Sequence, residues 1–131
     1  MAKYVSIRGW IECEHNQVAN IKKIITDYGN RIDFESPICQ ENVRLYNKGW
    51  CYQSATINWT SYIFYGADVK EYYLCFIEEE IREIVNRNFE LEGIFFLDYE
   101  EGERKCWKIS NFDIIEEKIV TDLGVKRGSN Q

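Results

Sequence analysis

The sequence predicts an α+β fold: a mainly antiparallel sheet with two amphipathic helices packed on one face, in the order β-α-β-β-α-β-β-β. Three observations carry this. Several short segments alternate apolar and polar residues with the period of a half-buried strand. Two longer segments repeat their apolar residues every three or four positions, the period of a helix with one buried stripe. Tight turn residues separate most neighbouring segments, which suits antiparallel pairing.

Residues 4–13 (YVSIRGWIEC) open the chain as a strand, with Val5, Ile7, Ile11 and Cys13 on one side and Ser6, Arg8 and Glu12 on the other. Asn16 is placed to cap a helix over 16–28, in which Val18, Ile21, Ile24, Ile25 and Tyr28 share a face and Gly29 supplies the stop. Residues 30–42 have no clear period and contain the only proline, Pro37, so they read as a loop. From residue 43 the β-formers return. VRLYNKGWCYQ is broken at Asn47-Lys48-Gly49, an Asn-x-Gly break between aromatic runs that reads as a hairpin turn, and SATINWTSYIFYG follows as a further strand. Asp68-Val-Lys-Glu71 has capping-box spacing and predicts a helix start there. Val69, Tyr72, Tyr73, Phe76, Ile77, Ile81, Ile84 and Val85 form its apolar stripe, opposite Glu78, Glu79, Arg82, Glu83, Asn86 and Arg87. Strands over 91–99, 104–110 and 112–120 complete the order, linked by the acidic turn Glu100-Glu101-Gly102-Glu103 and by Ser110-Asn111.

A chain of 131 residues is one domain's worth of sequence, drawn here as residues 1–123 with a polar tail over 124–131. With 45% hydrophobic and 15% aromatic residues and a single proline, the composition excludes disordered and low-complexity classes. No apolar run approaches the length of a membrane span, and Met1-Ala2-Lys3 leads straight into an alternating strand rather than a secretory signal. The expected location is the cytoplasm. Cys13, Cys39, Cys51, Cys75 and Cys106 are odd in number, widely spaced and without a C-x-x-C pair. They read as reduced thiols rather than disulfides or a zinc site.

Charge is the most informative feature. The whole chain carries −6, yet the segment from Glu71 to Glu103 holds eleven carboxylates against Arg82 and Arg87, a balance of −9. The rest is slightly basic. Such a segment repels phosphates and anionic lipid and attracts a basic partner, although a merely solvated helix face would look the same.

The search for chemistry finds little. There is no G-x-S-x-G, S-x-x-K, phosphate-binding glycine loop or EF-hand spacing, and His15 is the only histidine. No catalytic residue, cofactor or metal is therefore assigned, and the chain does not read as an enzyme. Trp50, Tyr52, Trp59, Tyr62 and Tyr65 could stack single-stranded bases, but Arg44 and Lys48 stand nearly alone among them, so the basic groove is missing. Dense acid beside tryptophan and tyrosine suits a different task, the binding of a basic protein. The candidate contact residues are Glu78, Glu79 and Glu83 on the second helix, Asp98, Glu100, Glu101 and Glu103 at the acidic turn, and Trp59 and Tyr62 on the preceding strand.

The blocks RGWIE (8–12), NWTSYIFYGADV (58–69) with the helix after it, and GIFFLD (93–98) resemble small bacterial immunity proteins that accompany polymorphic toxins, including those of contact-dependent growth inhibition. The resemblance implies a cytoplasmic antitoxin that covers the active site of a cognate toxin domain, often a basic nuclease. It supplies no catalytic residues. The alternative is a single-stranded nucleic-acid-binding module built on the aromatic sheet; no membrane partner is expected.

Overall fold

The computed structural model describes residues 3–30, 40–88 and 90–120. These form one six-stranded antiparallel sheet and three α-helices. The elements are β1 (Tyr4–Glu14), α1 (Val18–Gly29), α2 (Gln40–Asn47), β2 (Trp50–Tyr52), β3 (Thr60–Lys70), α3 (Leu74–Arg87), β4 (Glu92–Tyr99), β5 (Arg104–Ser110) and β6 (Asp113–Lys118). The strand order is β2-β3-β1-β4-β5-β6. The first four strands form two interleaved split β-α-β units: β3 lies between β1 and β2, and β1 lies between β3 and β4. The β4-β5-β6 meander then extends one edge.

The alternation seen in the sequence settles which face is covered. Val5, Ile7 and Ile11 of β1, Ile63, Tyr65 and Val69 of β3, and Phe95 and Leu97 of β4 are all buried and all point to one side. All three helices pack there. Helix α1 contributes Ile21, Ile24, Ile25 and Tyr28, and α3 contributes Phe76, Ile77, Ile81, Ile84 and Val85. Tyr28 stacks on Phe76 with ring centroids 5.3 Å apart. At about 25 cal/mol per Å² of apolar surface removed from water, this layer is the principal stabilising contribution. The other face of the sheet carries no helix among the described residues.

Two glycines let the central strands approach. A Cβ on Gly9 would meet the Ile94 carbonyl and lie 2.6 Å from Phe95 Cα, and one on Gly93 would meet the Trp10 carbonyl and lie 3.0 Å from Ile11 Cα. The Phe95 ring covers the gap at Gly9, as aromatics do for glycine in strands.

Several local expectations are corrected. Residues 40–47, read partly as loop and partly as strand, form α2, because Val43 and Tyr46 three positions apart both reach the core. The Asn47-Lys48-Gly49 turn therefore joins a helix to a strand, and the β2–β3 connection runs through residues 53–59. The Asp68-Glu71 capping box does not form. Strand β3 continues through Asp68, which accepts a hydrogen bond from Ser6, and a 3₁₀ turn over Glu71–Tyr73 precedes α3. Asn16 does not cap α1: it lies within a 3₁₀ turn over His15–Gln17, at whose start the Glu14 N–H donates to Gln17 Oε1 at 2.8 Å. The proline loop over 31–39, Cys39 and the tail from 121 lie outside the described residues. Of the remaining cysteines, all free, Cys13 and Cys106 are buried while Cys51 and Cys75 are exposed.

Candidate interaction surface

The carboxylates singled out by charge density are largely occupied within the chain. On α3, Glu78 pairs with Arg82 at 3.2 Å and Glu83 with Arg87 at 2.8 Å, each four residues along, the spacing that brings helix side chains together. Glu79 accepts from the Tyr28 hydroxyl at 2.9 Å. At the turn, Glu101 meets Lys3 at 2.7 Å and Glu103 lies 3.8 Å from Lys118. Glu100 Oε1 accepts from the Tyr4 N–H at 2.9 Å while its own N–H donates to the Tyr4 carbonyl, so this turn clamps the start of β1.

Asp98 accepts from Arg104 Nε at 2.6 Å and from Arg8. Burial acts to raise its pKa, but the hydrogen bond from Arg104 and the charges of Arg104 and Arg8 outweigh it and hold the carboxyl below its ordinary value. The two groups also fail to converge. Asp98 lies opposite Ser6 on the open face of the sheet, whereas α3 covers the other face.

A second acidic group, missed in the sequence, gathers where β1, β3 and β4 end. Glu12 and Glu14 sit on the open face of β1, and the register sets Glu12 directly opposite Glu92 of β4 and Glu14 opposite Thr60 of β3. With Glu90 just before β4 they surround a hollow of about 220 Å³ that is also lined by Cys13, Trp59 and Thr60. Among the described residues, none of these four carboxylates is in an ion pair; Glu12 has only the Trp10 Nε1 donor at 3.4 Å. Like charges directly across a ladder destabilise it.

Trp59 projects from this end with 79% of its surface exposed, and Tyr62 stacks against Phe64 beside it, with ring centroids 6.2 Å apart. Asn58 and Glu90 both hold left-handed backbone, with φ of 63° and 54°. For a glutamate that conformation is uncommon, and such residues concentrate where a chain serves binding rather than stability. Two of the sequence-derived contact residues, Trp59 and Tyr62, thus join the new group. The other seven lie elsewhere. Alternation in β1 already put Glu12 and Glu14 on one face, but their approach to Glu90 and Glu92 depends on a pairing register that no local pattern encodes.

The hollow offers little chemistry of its own. Burial raises the Cys13 thiol to about 11, leaving it protonated at neutral pH. His15 Nδ1 lies 2.7 Å from Thr56 Oγ1, which in turn is hydrogen-bonded to Ser61. Among the described residues no group of three or more His, Cys, Asp or Glu is placed to hold a metal ion, and no described helix is long and apolar enough to cross a membrane.

Fold and surface together define a small α+β domain that covers one sheet face with helices and leaves the other open, with an acidic end carrying an exposed tryptophan. No protein-family model, curated protein or solved structure matches the chain at a significant level.

Proposed function

We propose that this chain is a binding protein that neutralises a basic protein partner, in the manner of an immunity protein covering the active site of a toxin domain. One observation carries the reading: among the described residues, four carboxylates in no ion pair surround an exposed tryptophan at one end of the sheet, whereas Glu78, Glu83, Asp98, Glu101 and Glu103 are matched by the chain's own arginines and lysines. Unneutralised acid steers a basic partner into encounter, and a tryptophan at the centre of such a patch is the commonest kind of anchor.

The competing reading, a single-stranded nucleic-acid module, draws on the aromatics of the open face. Of the basic side chains there, Arg8 and Arg104 are engaged with Asp98 and Lys108 with Glu117. Phosphates approaching the acidic end would be repelled.

The neighbouring reading frames provide the test. A large secreted protein with a basic C-terminal domain is expected upstream, and the purified domain is titrated with this chain. Trp59→Ala and the double variant Glu12→Gln/Glu92→Gln should each weaken binding by about tenfold, the second mainly through slower association at low salt. Glu78→Gln with Glu79→Gln should leave it nearly unchanged. No affinity for that domain, or tight binding to single-stranded RNA at moderate salt, refutes the reading.

A further inference from the structure

The open face of the sheet has a structure beyond its acidic end. Register places Cys51, Phe64, Trp10, Ile94, Lys108 and Ile115 in one row across all six strands. Phe64 is 42% and Ile115 48% exposed, Trp10 and Ile94 are half-buried, and Trp10 leans on Phe96 with ring centroids 6.5 Å apart. Only Lys108 interrupts this apolar row, and its ammonium turns to Glu117 at 2.9 Å.

The two borders of the row differ. On one side stands the matched network of Arg8, Asp98 and Arg104, with Ser6 and Asp68 beyond it. On the other side the next row holds Glu12, Glu92 and Asp113, none of them in an ion pair among the described residues, with Glu14 and Glu90 following. The face is therefore polarised, with apolar residues in the middle, one neutral border and one acidic border.

We infer that this face is the docking surface for the basic partner, and that the partner presents an apolar ridge flanked along one side by lysine or arginine side chains. The inference rests on the reading of the chain as a basic-protein binder and specifies where and by what chemistry the partner is held. Charge complementarity selects the occupant. Stacking a second copy with its strands in the same sense would set the carboxylate border on itself; turning the copy round would set it on a border whose arginines are already matched. Size agrees as well: six strands of three to eleven residues, at about 3.3 Å rise per residue and about 4.8 Å between strands, give a face of roughly 700 Å². That is close to the ~800 Å² per partner of a standard interface.

The test uses the isotope-labelled full chain and three probes: a short helical peptide with leucines along one face and lysines beside them, the same peptide with serine in place of leucine, and oligo(dT). The leucine peptide should shift the amides of Trp10, Phe64 and Ile94 together with Glu12 and Glu92. The serine peptide should bind about tenfold more weakly, and Phe64→Ser or Ile115→Ser should weaken the leucine peptide to a similar degree while leaving the unfolding midpoint nearly in place. Equal affinity for the two peptides, or shifts confined to Trp59 and Glu90, overturns the docking face while leaving the basic-partner reading intact. Shifts on α1 and α3 overturn it too. Binding of oligo(dT) in preference to both peptides overturns both readings.

Discussion

Replacing Glu80 by glutamine should stabilise the protein, by an amount that grows with pH. Glu80 lies on α3 with no exposed surface, pointing into the layer between helices and sheet. Its Oε1 accepts from Trp50 Nε1 at 3.2 Å; its Oε2 and the Oδ1 of Asn47 are both buried without a hydrogen-bond partner while the carboxyl is ionised. Burial pushes its pKa up to about 8, against smaller downward effects from the Trp50 and Asn47 side chains. At neutral pH the native carboxyl therefore holds a proton, which can serve the orphaned Asn47 oxygen.

The unfolded chain holds that proton only below about 4.5. Stability from this group is thus complete below pH 4.5, falls as pH rises through the gap of about 3.5 units, and levels off above about 8. At about 1.4 kcal/mol per unit the whole loss is roughly 5 kcal/mol, of which about 3 has gone by pH 7. Glutamine keeps a donor for Asn47 and an acceptor for Trp50 without this dependence. Tyr52 and Tyr65 are the other titratable groups nearby. Burial, then the Glu80 charge, raises both, Tyr52 to about 12, so both titrate above the window. Urea unfolding followed by tryptophan fluorescence between pH 4.5 and 8.5 should show the two proteins diverging steadily. Parallel stability curves, or a variant less stable at pH 7, would refute the buried protonated carboxyl.

Three further substitutions test the fold and the site. Gly93→Ala should cost about 1–3 kcal/mol in urea unfolding, since its methyl meets the Trp10 carbonyl and the Ile11 backbone rather than a side chain that can move. Asp68→Ala should change stability by less than about 0.5 kcal/mol, because its Ser6 bond is exposed and it caps no helix; a loss near 1 kcal/mol would restore the cap. Glu92→Gln should raise the thermal midpoint slightly by relieving the cross-strand repulsion from Glu12, and weaken binding of a basic partner at low salt.

Alternation and helical period were enough to read β1, α1, the stripe of α3 and the closing meander, because these elements bury one face and their polar residues mark the other. They failed where a segment was short or tertiary packing outweighed local preference. The sequence QENVRLYN sets its two core residues, Val43 and Tyr46, among helix formers such as Gln40, Glu41, Arg44 and Leu45, but eight residues are too few for the helical period to stand out from the neighbouring strand pattern. Asp68 has capping chemistry but pairs across the ladder instead. Glu80 sits in a run of three glutamates and reads as solvated; its burial depends on Trp50 and Asn47 arriving from distant positions. The site was half legible for the same reason. Composition located the acid, but which carboxylates stay unmatched is decided by where Arg8, Arg82, Arg87 and Lys3 end up.

The distribution of matched and unmatched charge separates two tasks on one sheet. At the end holding Tyr4, Asp98 and Glu100, carboxylates tie the turn after β4 to the first strand, and their loss would loosen the ladder. At the opposite end, Glu12 faces Glu92 across the same pair of strands with no cation among the described residues, and Glu90 adds a left-handed backbone. Neither feature stabilises the isolated chain. Under the proposed function the carboxylate pair would become favourable once a cationic side chain of the partner lay between its members, so that stability given up in the free chain would return as affinity.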